Sequence, residues 1–473
     1  MDDARRYQLI LDRDARYDGR FITGVLTTGI YCLPSCTARK PKRENVRFFE
    51  TETEALAAGL RACKRCRPDL HYRGVDIDAA CFESLQQRIH AEPAAFRSLA
   101  DLAREAGVAR SKLVALCREH GHCTPAELLR RAQLRQAAHA LQARHDAVAD
   151  IGYAAGFASE AVFHRQFLAH YAMTPAAYRS LGHSTSFTLR LPDGYEPGIT
   201  LAYLGRDADG PAERRDGARV TKALLLKGQP VRLQFDLQPD AAQITVLDLP
   251  RPDAASLRQA QHIALRCLGL TQPMPTLRGA WATLAAARPG LRLPLSATVW
   301  EALLWAIVGQ QVNLSFAATL RRRVIELAGQ PAGDGMIAHP DIAAVAALDP
   351  AELCARQFSR SKAAYLIGTA QYLRDADWDI ETLEHGSAPQ ALQRLQALHG
   401  IGPWTAQYTL LRGVGFADCV PVGDAGLTAA LQRQHQLPER PDAKQTQALM
   451  ARYAPYRSLA TAHLWAGLKD AQP

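Results

Sequence analysis

Runs of apolar and polar positions divide the chain into four stretches of different rhythm. Before residue 76 the apolar runs are short, as in RFITGVLTTGIYC and NVRFFE, and predict strands of a few residues. Residues 77–182 repeat apolar positions every three or four residues, which predicts an almost wholly helical segment. The small polar string GHSTS then predicts a linker. From Phe187 the rhythm becomes an alternation: SFTLRL, RVTKALLL, VRLQFDL and AQITVLDL read as an antiparallel sheet, with LRQAQHIALRCLGL as the helix backing it. From Trp281 onward amphipathic helices return, broken by Pro and Gly. The expectation is a multidomain α+β chain with domains at 1–76 (small, α/β), 77–182 (all-α), 187–280 (antiparallel-sheet α+β) and 281–473 (all-α).

Length supports that division, because 473 residues exceed what one hydrophobic core organises. No run of apolar residues is long enough to predict a membrane span. The opening MDDARRYQLILDRDARYDGR is charged throughout and lacks the apolar centre of a signal peptide, so a cytoplasmic location is expected. In a reducing compartment the ten cysteines are not read as disulfides. Six of them, Cys81, Cys117, Cys123, Cys267, Cys354 and Cys419, are scattered and read as buried apolar fillers. The net charge of +9 favours an anionic partner, and its distribution narrows the choice. Residues 31–73 hold ten basic and five acidic residues around the other four cysteines, as a phosphate-facing surface requires.

Those four form a C-x3-C pair, Cys32 and Cys36, and a C-x2-C pair, Cys63 and Cys66, with 26 residues between the pairs. Such spacing lets both thiolates of a pair reach one tetrahedral zinc ion, and a structural metal supplies the folding energy that so small a domain lacks. Four unrelated buried thiols or two redox pairs are the alternatives, but no thioredoxin-like βαβ pattern surrounds them. Four thiolates on Zn²⁺ give a centre of roughly −2, whose sulfurs stay ionised and nucleophilic at neutral pH. Arg39, Lys40, Lys42, Arg43, Lys64, Arg65 and Arg67 would hold a DNA backbone beside it.

The strings VLTTGIYCLPSCTAR, RENVRFF and AGLRACKRCRPD resemble the zinc domain of Ada-type alkylation sensors. The resemblance implies irreversible transfer of a methyl group from DNA methylphosphotriesters to one zinc-bound sulfur. The matching nucleophile is Cys32, with Thr28, Arg39, Arg61 and Lys64 facing the DNA backbone. Methylation of Cys32 would remove one negative charge, lower the repulsion of phosphate and turn damage into a DNA-binding signal.

The helical segment contains two similar halves, RSLADLAREAGVARSKLVALCREHGHCTPAELL and AVADIGYAAGFASEAVFHRQFLAHYAMTPAAYR. Each predicts a short helix, a turn at Gly107 or Gly156, a second helix opening near Ser111 or Ser159, and a Thr-Pro break. This is the layout of a tandem helix-turn-helix, and the second half resembles the AraC family. Arg110, Ser111 and Lys112, then Ser159, Glu160, His164 and Arg165, are the residues expected in the major groove.

In LQALHGIGPWTAQYTLLRGVGFADCVPVGDAGL, Gly400, Gly402 and Ala406 fit a dinucleotide fingerprint only superficially, because a helix rather than a strand precedes them. A tight Gly turn between helices suits a DNA phosphate instead. Asp424 reads equally as the cap of the helix it precedes and as a reactive carboxylate. The layout resembles the helix-hairpin-helix DNA glycosylases, most closely the 3-methyladenine glycosylase II (AlkA) family, which implies that the sheet from Phe187 is the N-terminal domain of that fold. On that resemblance Asp424 is the catalytic carboxylate, and Trp404, Tyr408 and Trp465 line the base pocket, although each ring also reads as ordinary core. Gln310 and Gln311 stand at the intercalating turn, where the family carries an apolar wedge at position 311. Trp404 occupies the place of the Schiff-base lysine of bifunctional members, which implies a monofunctional enzyme. No Pro-Cys-His-Arg string occurs, so reversal of O6-methylguanine is not expected. The combined expectation is a fused alkylation sensor, transcriptional activator and glycosylase, with one Zn²⁺, damaged and promoter DNA as partners, and RNA polymerase as a protein partner. The competing expectation is a regulator whose glycosylase half is an inactive DNA clamp.

Overall fold

The computed structural model describes residues 1–469. The chain separates into two compact units, one ending at Leu85 and the other beginning at Gln86. Among the described residues no helix is long and apolar enough to cross a membrane.

In the first unit four short strands, β1 (Ile22–Val25), β2 (Ile30–Cys32), β3 (Val46–Phe49) and β4 (Arg61–Ala62), form a sheet in the order β3-β1-β2-β4. β1 pairs antiparallel with β2 and β3, whereas β4 runs parallel to β2, with Tyr31 opposite Ala62. Phe21, Ile22, Tyr31, Val46 and Phe49 are buried, together with Leu9 and Ile10 of the helix Asp3–Asp12. Gly24 lets this small core close, since a Cβ there would lie 2.6 Å from both Leu60 and Phe49. Little apolar area is available in so small a unit, which leaves folding energy for a metal to supply.

The second unit opens with the tandem helical pairs, Leu99–Glu105 with Arg110–Gly121, and Val148–Ala154 with Glu160–Tyr171, joined by Pro125–Ala143. Gly107 and Gly156 take left-handed conformations at the two turns. The Thr-Pro breaks are helix starts: Thr124 forms a capping box with Glu127, and Thr174 accepts from the N–H of Ala177, with Pro at the first helical position in each.

Five antiparallel strands follow, β5 (Ser186–Arg190), β6 (Glu213–Asp216), β7 (Arg219–Leu226), β8 (Gln229–Leu237) and β9 (Ala241–Leu247), in the order β5-β9-β8-β7-β6. Burial alternates along β8, and the inward side chains Val231, Leu233 and Phe235 meet Leu257, Ala260 and Ala264 of the backing helix Ala254–Cys267. The pattern missed β6, because its sequence ERRD is entirely charged. It also missed the helix Pro197–Leu204. The helical pairs and this sheet share one core: Leu141, Phe163, Phe167 and Tyr178 cluster with Phe187, Phe235 and Ile244. Of the GHSTS stretch between them, Gly182 packs closely, a Cβ there coming 2.6 Å from the backbone nitrogen of Ala254, while His183 and Ser184 are exposed.

The remaining helices surround a large apolar core that includes Trp300, Leu303, Leu366, Leu395, Leu411 and Leu427. The first helical pair touches this part as well. His120 Nδ1 lies 2.8 Å from Ser387 Oγ, and the N–H of Asp418 donates to His122 Nδ1 at 3.1 Å.

Candidate functional site

The parallel pairing of β2 and β4 places the first cysteine of each pair at neighbouring strand ends, and the N–H of Cys63 donates to Tyr31 O at 3.0 Å. Tight turns then return Cys36 and Cys66 to the same spot: Cys36 N–H reaches Leu33 O at 3.1 Å, and Arg67 N–H reaches Cys63 O at 2.9 Å. All four sulfurs lie within 4.8 Å of one another, and Cys36 and Cys63 are 4.0 Å apart. A tetrahedron of sulfurs at about 2.3 Å from zinc has edges of about 3.8 Å, so the cradle fits the ion. The N–H of Leu33 points at Cys66 Sγ at 3.4 Å, as expected for a charged sulfur. Cys32, Cys36, Cys63 and Cys66 therefore hold one structural Zn²⁺.

Around this centre Thr28, Arg39, Arg61 and Lys64 are exposed. Lys40 turns inward instead, donating to Cys36 O at 2.9 Å, and burial lowers its pKa. Arg67 is committed to Asp69 through two bonds of 3.0 and 2.9 Å. In the second unit Arg110, Ser111 and Lys112 are exposed on the first turn of their helix. Ser159 is the N-cap of its helix and accepts from Val162 N–H, while Arg165 is exposed and His164 Nε2 lies 3.7 Å from Glu160.

The third constellation is built on the hairpin between Ala388–Gln396 and Pro403–Thr409. Gly400 sits at φ +80°, and a Cβ there would be 2.2 Å from Tyr365 Cγ, so both backbone and space require glycine. Gly402 is the N-cap of the second helix and faces open space. Gln310 ties the opposite turn to this hairpin, donating from Nε2 to Gly400 O at 2.9 Å and to Thr405 Oγ1 at 3.0 Å. Lys362, pushed below its ordinary pKa by burial, holds the same turn by donating to Val308 O at 2.7 Å and Gln310 O at 3.0 Å. Gln311 is exposed at the tip with φ +56°, a conformation that costs an ordinary side chain about 1–2 kcal/mol.

Asp424 lies between the two helices that carry the aromatic rings. Its Oδ2 accepts from Trp404 Nε1 at 3.1 Å, and its Oδ1 accepts from Trp465 Nε1 at 2.9 Å and from Leu427 N–H at 2.7 Å. The carboxylate thus caps the helix Ala425–Gln434 and is oriented by two indoles at once. Trp404 and Tyr408 centroids are 5.5 Å apart and Tyr408 and Trp465 6.3 Å, all tilted rather than stacked. Burial raises the pKa of the Tyr408 hydroxyl, so the box presents a neutral phenol.

Sequence reasoning missed Trp305, which belongs to the same aromatic cluster, and Tyr203, Arg206 and Arg412 next to it. Tyr203 and Arg206 come from the region before β6, and periodicity carries no sign that this region reaches the box. Arg412 lies on a π-helical turn, Leu410–Val414, that directly continues the second hairpin helix.

A zinc cradle, paired helix-turn-helix units and a glycine hairpin whose second helix orients a carboxylate through Trp404 define a DNA-repair enzyme that carries its own DNA-binding module. Residues 5–69 match the metal binding domain of Ada, 102–180 a helix-turn-helix domain, and 304–455 the HhH-GPD superfamily of base excision DNA repair proteins. Across 99% of its length the chain is 30% identical to 97% of a probable bifunctional transcriptional activator/DNA repair enzyme AlkA of Mycobacterium tuberculosis, and it belongs to that family. It is 54% identical over 69 residues to the Escherichia coli bifunctional transcriptional activator/DNA repair enzyme Ada, covering 15% of this chain and 20% of that one. It is 34% identical over 198 residues to DNA-3-methyladenine glycosylase 2 of Escherichia coli, covering 40% of this chain and 64% of that one. The solved 3-methyladenine DNA-glycosylase of Archaeoglobus fulgidus shares the fold, with a TM-score of 0.53 at 18% identity over 60% of this chain and 98% of that one.

Proposed function

We propose that the chain excises alkylated purines of the 3-methyladenine type from DNA by hydrolysing the N-glycosidic bond, with Asp424 as the catalytic carboxylate. The observation that carries this reading is a charged group held by two indole N–H donors at the edge of an aromatic box, beside a turn suited to phosphate. A flipped cationic base stacks on electron-rich rings, while the sugar remains at the rim. As the C1′–N bond breaks its electron pair stays with the base, which leaves neutral, and the sugar becomes oxocarbenium-like. The Asp424 carboxylate stabilises that charge and accepts the proton of the water that adds to C1′.

The enzyme is monofunctional on this reading. Trp404 stands where a lyase would need an amine, and Lys362, beneath the neighbouring turn, commits its Nζ to two carbonyls. Gly400 and Gly402 bind the backbone, Gln310 braces the turn against the hairpin beside the pocket, and Gln311 fills the space that the flipped base vacates.

In the first unit Cys32 Sγ attacks the methyl carbon of a methylphosphotriester. An S–C bond forms, the C–O bond breaks, and its electron pair leaves a phosphodiester anion. Zinc held by Cys32, Cys36, Cys63 and Cys66 would keep the thiolate ionised, and Thr28, Arg39, Arg61 and Lys64 hold the backbone. The reaction is irreversible, and the methylated unit then recruits the helix-turn-helix residues Arg110, Ser111, Lys112, Ser159, His164 and Arg165 to a promoter, with RNA polymerase as protein partner. The division of labour follows 1–76, 77–182, 187–280 and 281–473.

Incubation with methylated duplex DNA tests the first activity. Wild type should release free 3-methyladenine and Asp424→Asn should not; no release by wild type leaves an inactive DNA clamp as the reading. Mass spectrometry of the zinc-loaded protein after exposure to methylphosphotriester DNA should find one added methyl on Cys32. An unmodified Cys32 reduces the metal to a structural role.

A further inference from the structure

The stretch from Gly415 to Asp424 contains no helix or strand residue, and Gly415 and Gly423 stand at its ends with φ of +83° and +85°. Its position, and with it that of the Asp424 carboxylate, therefore depends on what the surrounding elements attach to it. Several anchors come from the helices of the aromatic box. Ser458 N–H donates to Ala417 O at 3.0 Å, Cys419 N–H to Ser458 Oγ at 2.9 Å, and Val420 N–H to Gln407 Oε1 at 3.3 Å. Arg457 holds the Asp418 carboxylate through two bonds of 2.7 and 2.8 Å, and the helix Arg457–Lys469 that it opens carries Trp465, a donor to Asp424.

A further anchor comes from outside the glycosylase fold. His122 ends the second helix of the first helix-turn-helix unit, Arg110–Gly121, as its left-handed C-cap at φ 47°. Its Nδ1 accepts the N–H of Asp418 at 3.1 Å, across 296 residues of chain, and its ring meets Phe416 edge-on with centroids 5.1 Å apart. A ring that accepts at Nδ1 is neutral and carries its proton on Nε2. Burial lowers the His122 pKa to about 4, Arg457 and His120 pushing the same way and Asp418 opposing them. The end of this helix is itself fixed: buried His120 lies 2.8 Å from the hydroxyl of Ser387, the N-cap of the first hairpin helix.

We propose that His122 is a positioning residue for base excision, through which the first helix-turn-helix unit holds the loop that ends in Asp424. The inference rests on the reading of Asp424 as the catalytic carboxylate. His122 touches neither the base nor the sugar on this reading. It gives the part-buried Asp418 N–H an acceptor, which the loop would otherwise lack at that point. A carboxylate that must face a developing charge at C1′ acts only over a narrow range of positions, so a slack loop lowers the rate of the chemical step. The glycine hairpin is tied to Gln310 and not to this loop, so binding of the duplex is untouched.

The test follows release of 3-methyladenine from methylated duplex DNA by the full chain, with kcat and KM separated and folding checked by circular dichroism. His122→Phe keeps a ring against Phe416 and removes the acceptor. It should lower kcat about tenfold and leave KM level. His122→Asn carries an oxygen at the position of Nδ1 and tolerates the left-handed backbone, so it should retain the wild-type kcat. His122→Gln carries its oxygen one bond too far and should lose kcat as the phenylalanine variant does, which keeps the comparison decisive even if that variant folds poorly. His90→Leu disturbs a different contact of the same helical segment, the ring pair of His90 with His385, and should leave kcat unchanged. An unchanged kcat in both His122→Phe and His122→Gln overturns the inference. Failure of His122→Asn to retain the rate, or an equal fall in His90→Leu, also overturns it, because either result reduces the contact to general packing. No release by wild type would instead fail the glycosylase reading itself, and the inference with it.

Discussion

Replacing Glu213 by Gln removes one charge from a buried and balanced set. Glu213 on β6 is fully buried, and it accepts from Arg321 at 2.7 and 2.8 Å and from Lys222 at 2.7 Å. Lys222 and Arg321 also reach Glu301, at 3.1 and 3.3 Å, and Arg321 lies 3.6 Å from Asp207. With Arg206 included, three buried cations face Glu213, Glu301 and Asp207, while Arg322 at the rim bridges Asp207 and the exposed Asp209, so the charges balance and the amide leaves an uncompensated positive charge among groups that water does not reach. Breaking a buried pair from one side costs about 3–5 kcal/mol, far more than an exposed pair. That is a large part of the stability of a typical domain.

Burial by itself would push the Glu213 pKa up, but Arg321, Lys222 and Arg206 outweigh it and hold the group at about 2, against an ordinary 4.5. The folded pKa is depressed, so the stabilisation is complete above the unfolded value and is lost as pH falls toward 2. Urea unfolding followed by tryptophan fluorescence at neutral pH should show Glu213→Gln about 3–5 kcal/mol less stable, with the gap narrowing in acid. A double variant, Glu213→Gln with Lys222→Met, should recover part of the loss, because the charges balance again. A neutral-pH difference below about 0.5 kcal/mol, or no recovery in the double variant, would refute the claim that charge balance holds this junction together.

Two further outcomes are expected. Gly400→Ala must place a Cβ against the Tyr365 ring at φ +80°, so it should cost at least about 2 kcal/mol by thermal melt and weaken binding to duplex DNA in a titration at fixed salt. Removing zinc with a chelator should unfold the unit ending at Leu85 while leaving the far larger core of the second unit folded, which separate circular dichroism of the isolated first unit and the whole chain would check.

The metal site was legible in the sequence because its chemistry is local: two turns each return a cysteine to its partner, and only the parallel β2–β4 pairing lies outside the spacing. The helix-turn-helix units were legible for a similar reason. Their Gly turns and Thr-Pro starts act within a few residues, and the alternation of β8 needs only one buried face. The glycosylase hairpin was legible through Gly400, Gly402 and the resemblance around Asp424, but spacing alone did not reveal that one carboxylate serves both as helix cap and as acceptor for two indoles.

Tertiary structure decided what depends on distant neighbours. ERRD reads as solvent-facing, yet Glu213 is buried because Lys222 and, far along the chain, Arg321 meet it there. Arg206 belongs to the aromatic box only because the chain before β6 folds back onto Trp305. The helical pairs form one core with the sheet because both carry apolar faces that neither covers alone. A sequence displays the periodicity and spacing of residues that cooperate within a turn or a strand. Which charges lose water, and which partners they then meet, is set by the packing of segments a hundred residues apart.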